Sequence, residues 1–349
     1  MALIREYFSN SESIHTLEEQ LQDRAQPLAR AGLTAPQPTE AELRGQLGPL
    51  MERQTAITPQ AEQILENTLG QVLREQGILS SVGPVTTQFP PVDIHLGPLP
   101  KALAISPRSA ISLQQATLLR GDMTLEEITR LEQSLKQHVG VSPFVSGLLG
   151  VATYPSIVNS GSNAKDLIST VAHEWLHQYF AFHPLGLHYG TSNDMRTMNE
   201  TAAELGGQEI GRLVLMRLGL SPRVPAPQPS RAPDPSGFSF VRELRATRVQ
   251  AEAMLAKGQI DEAEAYMEQR RLEFVRHGYY LRVLNQAFFA FNGSYGDSGA
   301  SVSPIPGELR QLRNASSTIG AFVRTVAGIS SPEQLRAAVA ALTPKVSAQ

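Results

Sequence analysis

The chain has 349 residues, 41% hydrophobic and 18% charged, with a net charge of −3 and no cysteine. This length can bury one large core or two smaller ones. The composition excludes a basic face for nucleic acid, and it excludes disulfides, thiolate nucleophiles and Cys-based zinc sites.

No apolar run approaches the length of a membrane span. The start, "MALIREYFSNSESIH", lacks the basic, apolar and small-residue sections of a signal peptide. The expectation is therefore a chain with no membrane segment and no nucleic-acid partner, cytoplasmic by default.

Residues 1–78 read as a helical N-terminal region. "TEAELRGQL" opens with a capping box, Thr39 with Glu42. In "TPQAEQILENTLGQVLREQG", Thr58 is the expected N-cap and Pro59 lies in the first turn. Ile64, Leu65, Leu69, Val72 and Leu73 form its apolar stripe. The texture then changes. "VDIHL", "KALAI" and "AISLQQATLL" are short candidate strands between Gly and Pro punctuation.

"MTLEEITRLEQSLKQHVG" predicts a helix with Thr124 and Glu127 as capping box and Leu125, Ile128, Leu131 and Leu135 as its buried face. "LLGVATYPSIV" is one more strand candidate. "SNAKDLISTVAHEWLHQYFAF" follows as a helix capped by Ser162 or Asn163 and stopped at His183-Pro184. "NDMRTMNETAAELGGQEIGRLVLMRLG" is the next helix. A core of residues 79–220 ends at the proline-rich linker or loop 221–237. Residues 238–349 form a C-terminal helical region, with a hairpin turning at Lys257-Gly258-Gln259, a long helical arm interrupted at Gly278, and two final helices.

The chemistry concentrates in "HEWLH". On a helix, residues four apart share a face, so His173 and His177 present two imidazoles to one point, as a tetrahedral Zn²⁺ requires. Glu174 is rotated about 100° from His173 and can reach a water there without becoming a ligand. H-E-x-x-H on a helix is the motif of zinc metalloproteases. Its flanks, Thr170, Val171, Trp175, Leu176, Gln178 and Tyr179, are uncharged, which argues against a solvated pair of histidines.

A catalytic zinc needs a third protein ligand. His183 has the spacing of H-E-x-x-H-x-x-G-x-x-H enzymes, but Phe180 stands where the turning glycine is needed. Asp194 in "GTSNDM" is one residue too far for a Gly-Thr-x-Asp pattern. Glu200 in "NETAAE" is the best candidate, with Glu204 one turn on to hold the free N–H of a ligating histidine.

"HEWLH" followed by "NETAAE" resembles the gluzincin branch of the zincin metallopeptidases, over residues 145–210. Three features depart from the known patterns: a longer gap from His177 to Glu200, Glu204 where thermolysin-like enzymes have Asp, and no Gly-x-Met-Glu-Asn before the helix. The resemblance implies an α+β, mainly helical fold: a zincin-like catalytic core of small mixed sheet, HExxH helix and third-ligand helix, flanked by helical N- and C-terminal regions. It implies one Zn²⁺ per chain, a peptide or protein substrate, and Glu174 as general base.

Gluzincins draw their oxyanion donor from a downstream Tyr or His. "RHGYY" supplies His277, Tyr279 and Tyr280, and Tyr295 is a further candidate. An edge strand in "GVATYPSIV" would pair with an extended substrate, with Tyr154 near its specificity pocket. The same ligands are compatible with hydrolysis of a non-peptide amide, or with a zinc-binding or helical scaffold without turnover.

Overall fold

The computed structural model describes residues 2–25, 39–82, 84–161, 163–220, 237–295 and 298–342. In chain order the elements begin with α1 (Ala2–Ala25), α2 (Glu40–Glu75), β1 (Ser80–Val82), β2 (Val85–Thr87), β3 (Ile94–Leu96), β4 (Lys101–Pro107) and β5 (Gln115–Leu119). Then come α3 (Leu125–His138), β6 (Val141–Gly147), β7 (Gly150–Val151), β8 (Ser156–Val158), α4 (Ala164–Ala181), α5 (Pro184–Leu187) and α6 (Asn193–Arg217). The last are α7 (Phe240–Leu255), α8 (Ile260–Arg276), α9 (Gln286–Asn292), α10 (Ile305–Ala315), α11 (Ile319–Ala327) and α12 (Pro332–Ala340). The protein is thus mainly helical with small sheets, as an α+β reading requires. Among the described residues no helix is long and apolar enough to cross a membrane.

Two compact units divide the chain. One comprises Met1–Pro98, Leu149–Trp175 and Gly207–Arg223, the other Leu99–Leu148, Leu176–Gly206 and Val224–Gln349. Helices α4 and α6 are continuous through both divisions.

In the first unit α1 and α2 pack together, burying Ile4 and Tyr7 and pairing Arg53 with Glu6 at 2.6 Å. The Thr39–Glu42 capping box forms as expected, but Thr58 caps nothing. α2 runs unbroken past Pro49 and Pro59, and the Thr58 hydroxyl donates back to the Gln54 carbonyl at 2.8 Å. The buried series Ile57, Ala61, Leu65, Leu69 and Leu73 continues one face across the proline, and that packing outweighs the lost backbone bond. Ile64 is only half-buried beside this stripe.

β1 and β2 form a two-stranded antiparallel hairpin. The other sheet of this unit has the order β3-β8-β7, with β3 parallel and β7 antiparallel to β8. The stretch expected as one strand, "LLGVATYPSIV", is therefore two, β7 and β8, separated by a turn through Tyr154-Pro155. Proline lacks the N–H that a continuous ladder needs.

β3 is sealed by α2. Glu66 Oε1 accepts the Ile94 N–H at 3.0 Å and Glu62 Oε1 accepts the Leu96 N–H at 2.7 Å. Four residues of helix rise about 6 Å and two of strand about 6.6 Å, so carboxylates at i and i+4 match strand amides at i and i+2. β7 is left as the other edge.

Asn163 caps α4, its Oδ1 accepting the Asp166 N–H at 3.0 Å; the alternative, Ser162, lies outside the described residues. Leu167, Ile168, Val171, Ala172 and Trp175 bury the first half of α4, and Trp175 Nε1 donates to the Pro90 carbonyl at 3.1 Å.

In the second unit β4 is the centre of an antiparallel sheet, order β5-β4-β6. β6 is absent from the sequence-based expectations; its Pro143 lacks a ladder N–H and is tolerated on this edge. The α3 capping box forms between Thr124 and Glu127. Ile128 is buried in its face, with Leu131 and Leu135 partly buried, whereas Leu125 is exposed.

α7 and α8 form the expected hairpin, turning at Gly258 with φ +74°. The long arm is not one helix. α8 ends at Arg276, Gly278 takes φ +75°, and α9 begins afresh with Asn285 accepting the Phe288 N–H at 2.9 Å. Three helices, not two, follow. The proline-rich segment lies outside the described residues except Gly237.

Candidate metal centre

α4 and α6 approach closely because glycines line their contact. In the first unit a Cβ on Gly207 would fall 2.8 Å from the Ser169 carbonyl oxygen and 3.1 Å from His173 Cα. In the second, a Cβ on Gly206 would fall 2.5 Å from Leu176 Cδ1. With 207 against 173 and 206 against 176, the helices run antiparallel, and the start of α6 meets the end of α4.

That register delivers the site. His173, His177 and Glu200 each offer a ligand atom, and these atoms lie within 4.8 Å of one another in a largely buried cluster that could hold a metal ion. His183 and Asp194 are not in it. The His183 ring lies tilted against Tyr179 at 4.2 Å, with Nδ1 2.7 Å from the Tyr179 carbonyl oxygen, and Asp194 accepts from Ser303 at 3.4 Å. α4 does continue past Phe180 to Ala181.

Local contacts orient the donors. His177 Nδ1 is 2.7 Å from Asn199 Oδ1, an acceptor, so Nδ1 carries a hydrogen. Nε2 faces Glu200 Oε2 at 3.3 Å. A ring nitrogen and a carboxylate oxygen at this distance share a cation, a proton or a metal ion, and the donor set of two imidazoles and one carboxylate suits a metal.

Glu200 is 6% exposed, and its other oxygen, Oε1, accepts the Tyr189 hydroxyl at 2.7 Å. Burial, and then the Glu200 charge, push the Tyr189 hydroxyl well above the ordinary phenol range. The Arg196 guanidinium lies 5.5 Å from the centre of the Tyr189 ring.

Glu174, 7% exposed, packs on the backbone of β7. A Cβ on Gly150 would fall 2.8 Å from Glu174 Cδ, so only glycine leaves room for the carboxylate. The Asn159 N–H donates to the Leu149 carbonyl at 3.2 Å, which makes Gly150 and Val158 the non-bonded pair of the β7–β8 ladder. The Gly150 N–H and C=O therefore turn away from β8, toward the edge of the sheet. Leu149 and Tyr154 flank this edge, 71% and 58% exposed.

The expected oxyanion donors all belong to the second unit. His277 stacks on Phe238 at 3.9 Å and pairs with Glu273 at 3.2 Å; Tyr279 lies 4.8 Å from the Phe240 ring. Tyr280 is 79% exposed, and Tyr295 packs edge-on to Phe291. Glu204 sits one turn beyond Glu200, half-buried, and His177 Nδ1 meets Asn199.

Asn199, Tyr189 and Gly150 escape sequence reasoning about function. Asn199 had one signal, its place directly before the candidate ligand; Tyr189 and Gly150 had none, because Tyr189 meets Glu200 and Gly150 meets Glu174 only in the folded chain. No family model, no curated protein and no solved structure matches this chain. The case for a function rests on the site itself.

Proposed function

We propose that the chain is a zinc-dependent peptidase. The observation that carries this reading is the cluster of His173, His177 and Glu200, in which His177 Nε2 faces Glu200 Oε2 at 3.3 Å. His173, His177 and Glu200 would hold the zinc. Bound there, zinc would acidify a water and polarise a carbonyl.

Glu174, one residue along α4 from His173, takes the proton from the attacking water and passes it to the leaving amine. Its low exposure keeps competing solvent away from that carboxylate. Gly150 favours a peptide over other amides. Its outward N–H and C=O, beside the Glu174 carboxylate, offer two backbone hydrogen bonds to an extended chain added at the sheet edge. Leu149 and Tyr154 would meet the side chains of that substrate.

The test is zinc per chain by elemental analysis on wild type, Glu200→Ala, His183→Ala and Asp194→Ala, followed by a peptide-library screen. One zinc lost only in Glu200→Ala, with cleavage by the wild type, supports the reading. Loss in His183→Ala moves the third ligand, and no tight zinc in any sample sinks the enzyme.

A further inference from the structure

The Tyr189 hydroxyl and His177 Nε2 address different oxygens of one carboxylate: Oε1 at 2.7 Å and Oε2 at 3.3 Å. A carboxylate can bind a metal through one oxygen or both. Through one, three protein ligands leave a fourth position for water; through both, that position is crowded. We infer that Tyr189 is a positioning residue, which holds Oε1 so that Glu200 meets the metal through Oε2 alone. The inference rests on the reading of His173, His177 and Glu200 as metal ligands.

Tyr189 is itself held. Its N–H donates to the Gly186 carbonyl at 3.0 Å, fixing the turn that precedes α6. Arg196, on the first turns of α6, lies over its ring and donates to Asn193 Oδ1 at 3.2 Å. Arg196, Tyr189 and Glu200 thus form a chain in which a cation fixes a ring and the ring's hydroxyl fixes one carboxylate oxygen. Tyr189 touches neither zinc nor substrate in this scheme, and its effect passes through Glu200.

The test replaces zinc with Co²⁺, whose visible absorption reports coordination number. Wild type takes up one Co²⁺ per chain with the intense bands of a four-coordinate ion. Tyr189→Phe keeps the ring and folds as wild type by circular dichroism, binds Co²⁺ about 10–100-fold more weakly, and shows weaker bands as Oε1 joins the ion. If wild type binds no Co²⁺, the ligand reading fails and this inference with it. If wild type binds and Tyr189→Phe matches it in affinity and spectrum, the ligand reading stands and the Tyr189 role is overturned. Should Tyr189→Phe not fold, wild type labelled with [¹³Cζ]tyrosine answers instead. Zinc should then shift a resonance among the eight tyrosines. No shift at stoichiometric zinc overturns the inference.

Discussion

Glu132 on α3 and Glu200 on α6 are buried to the same depth, 7% and 6% exposed, yet they are satisfied in opposite ways. Glu132 is closed by donors. Arg282 grips it with two guanidinium nitrogens, Nη1 and Nη2, and the Val145 N–H donates to Oε1 at 2.7 Å. Arg282 goes on to the Val145 carbonyl at 2.9 Å, so charge and backbone are matched within the fold. Glu200 accepts the Tyr189 hydroxyl on Oε1 and turns Oε2 to His177 Nε2. Burial of a carboxylate does not mark a site; the chemistry facing it does.

The comparison can be broken most sharply at Glu174. Glu174→Gln should lower peptide hydrolysis by about 10²–10⁴-fold while zinc content stays at wild-type level. A variant that keeps its rate removes the general base and the proposed mechanism.

Next comes the pair itself. Glu132→Ala leaves the Arg282 charge largely buried and should cost about 3–5 kcal/mol in urea unfolding, with zinc per chain unchanged. Glu200→Ala should lose the zinc and in metal-free protein cost about 1–3 kcal/mol, because the buried Tyr189 hydroxyl loses its acceptor. Equal costs would erase the distinction between the two carboxylates.

The helix contact gives a smaller effect. Gly207→Ala places a methyl against the backbone of Ser169 and His173 and should cost about 1–3 kcal/mol, with weaker zinc binding as α4 is displaced. Calorimetry and a competitive zinc titration would read both.

The smallest effect is confined to alkaline pH. Burial pushes the Tyr7 hydroxyl from 10.0 up to about 12. The folded state holds that proton more tightly, so the contribution is fully present below pH 10 and is lost as pH rises through 12. Unfolding followed against pH should show this loss, and Tyr7→Phe should remove it without a change near pH 7.

What was legible in the sequence was local. Both capping boxes and the helical offset of His173 and His177 lie within four or five residues, where helix geometry decides. Glu200 could be chosen because its apolar neighbours Ala202 and Ala203 argued for a buried face. The misreadings came where tertiary packing outweighed a local signal. Thr58 and Pro59 look like a helix start until the buried face of α2 is seen to cross them, and β6 keeps Pro143 on a sheet edge. The residues missed at the site, Tyr189 and Gly150, meet their glutamates across loops that no periodicity reports.

The seal on β3 has a consequence for how this sheet meets other chains. With Ile94 and Leu96 already bonded to glutamates of α2, another polypeptide can extend it only at β7. β7 is two residues long, Gly150 and Val151. Such an edge can register one partner briefly and release it, but it is too short to template the stacked pairing of aggregates. A surface that must accept a strand and let it go would thereby avoid keeping one.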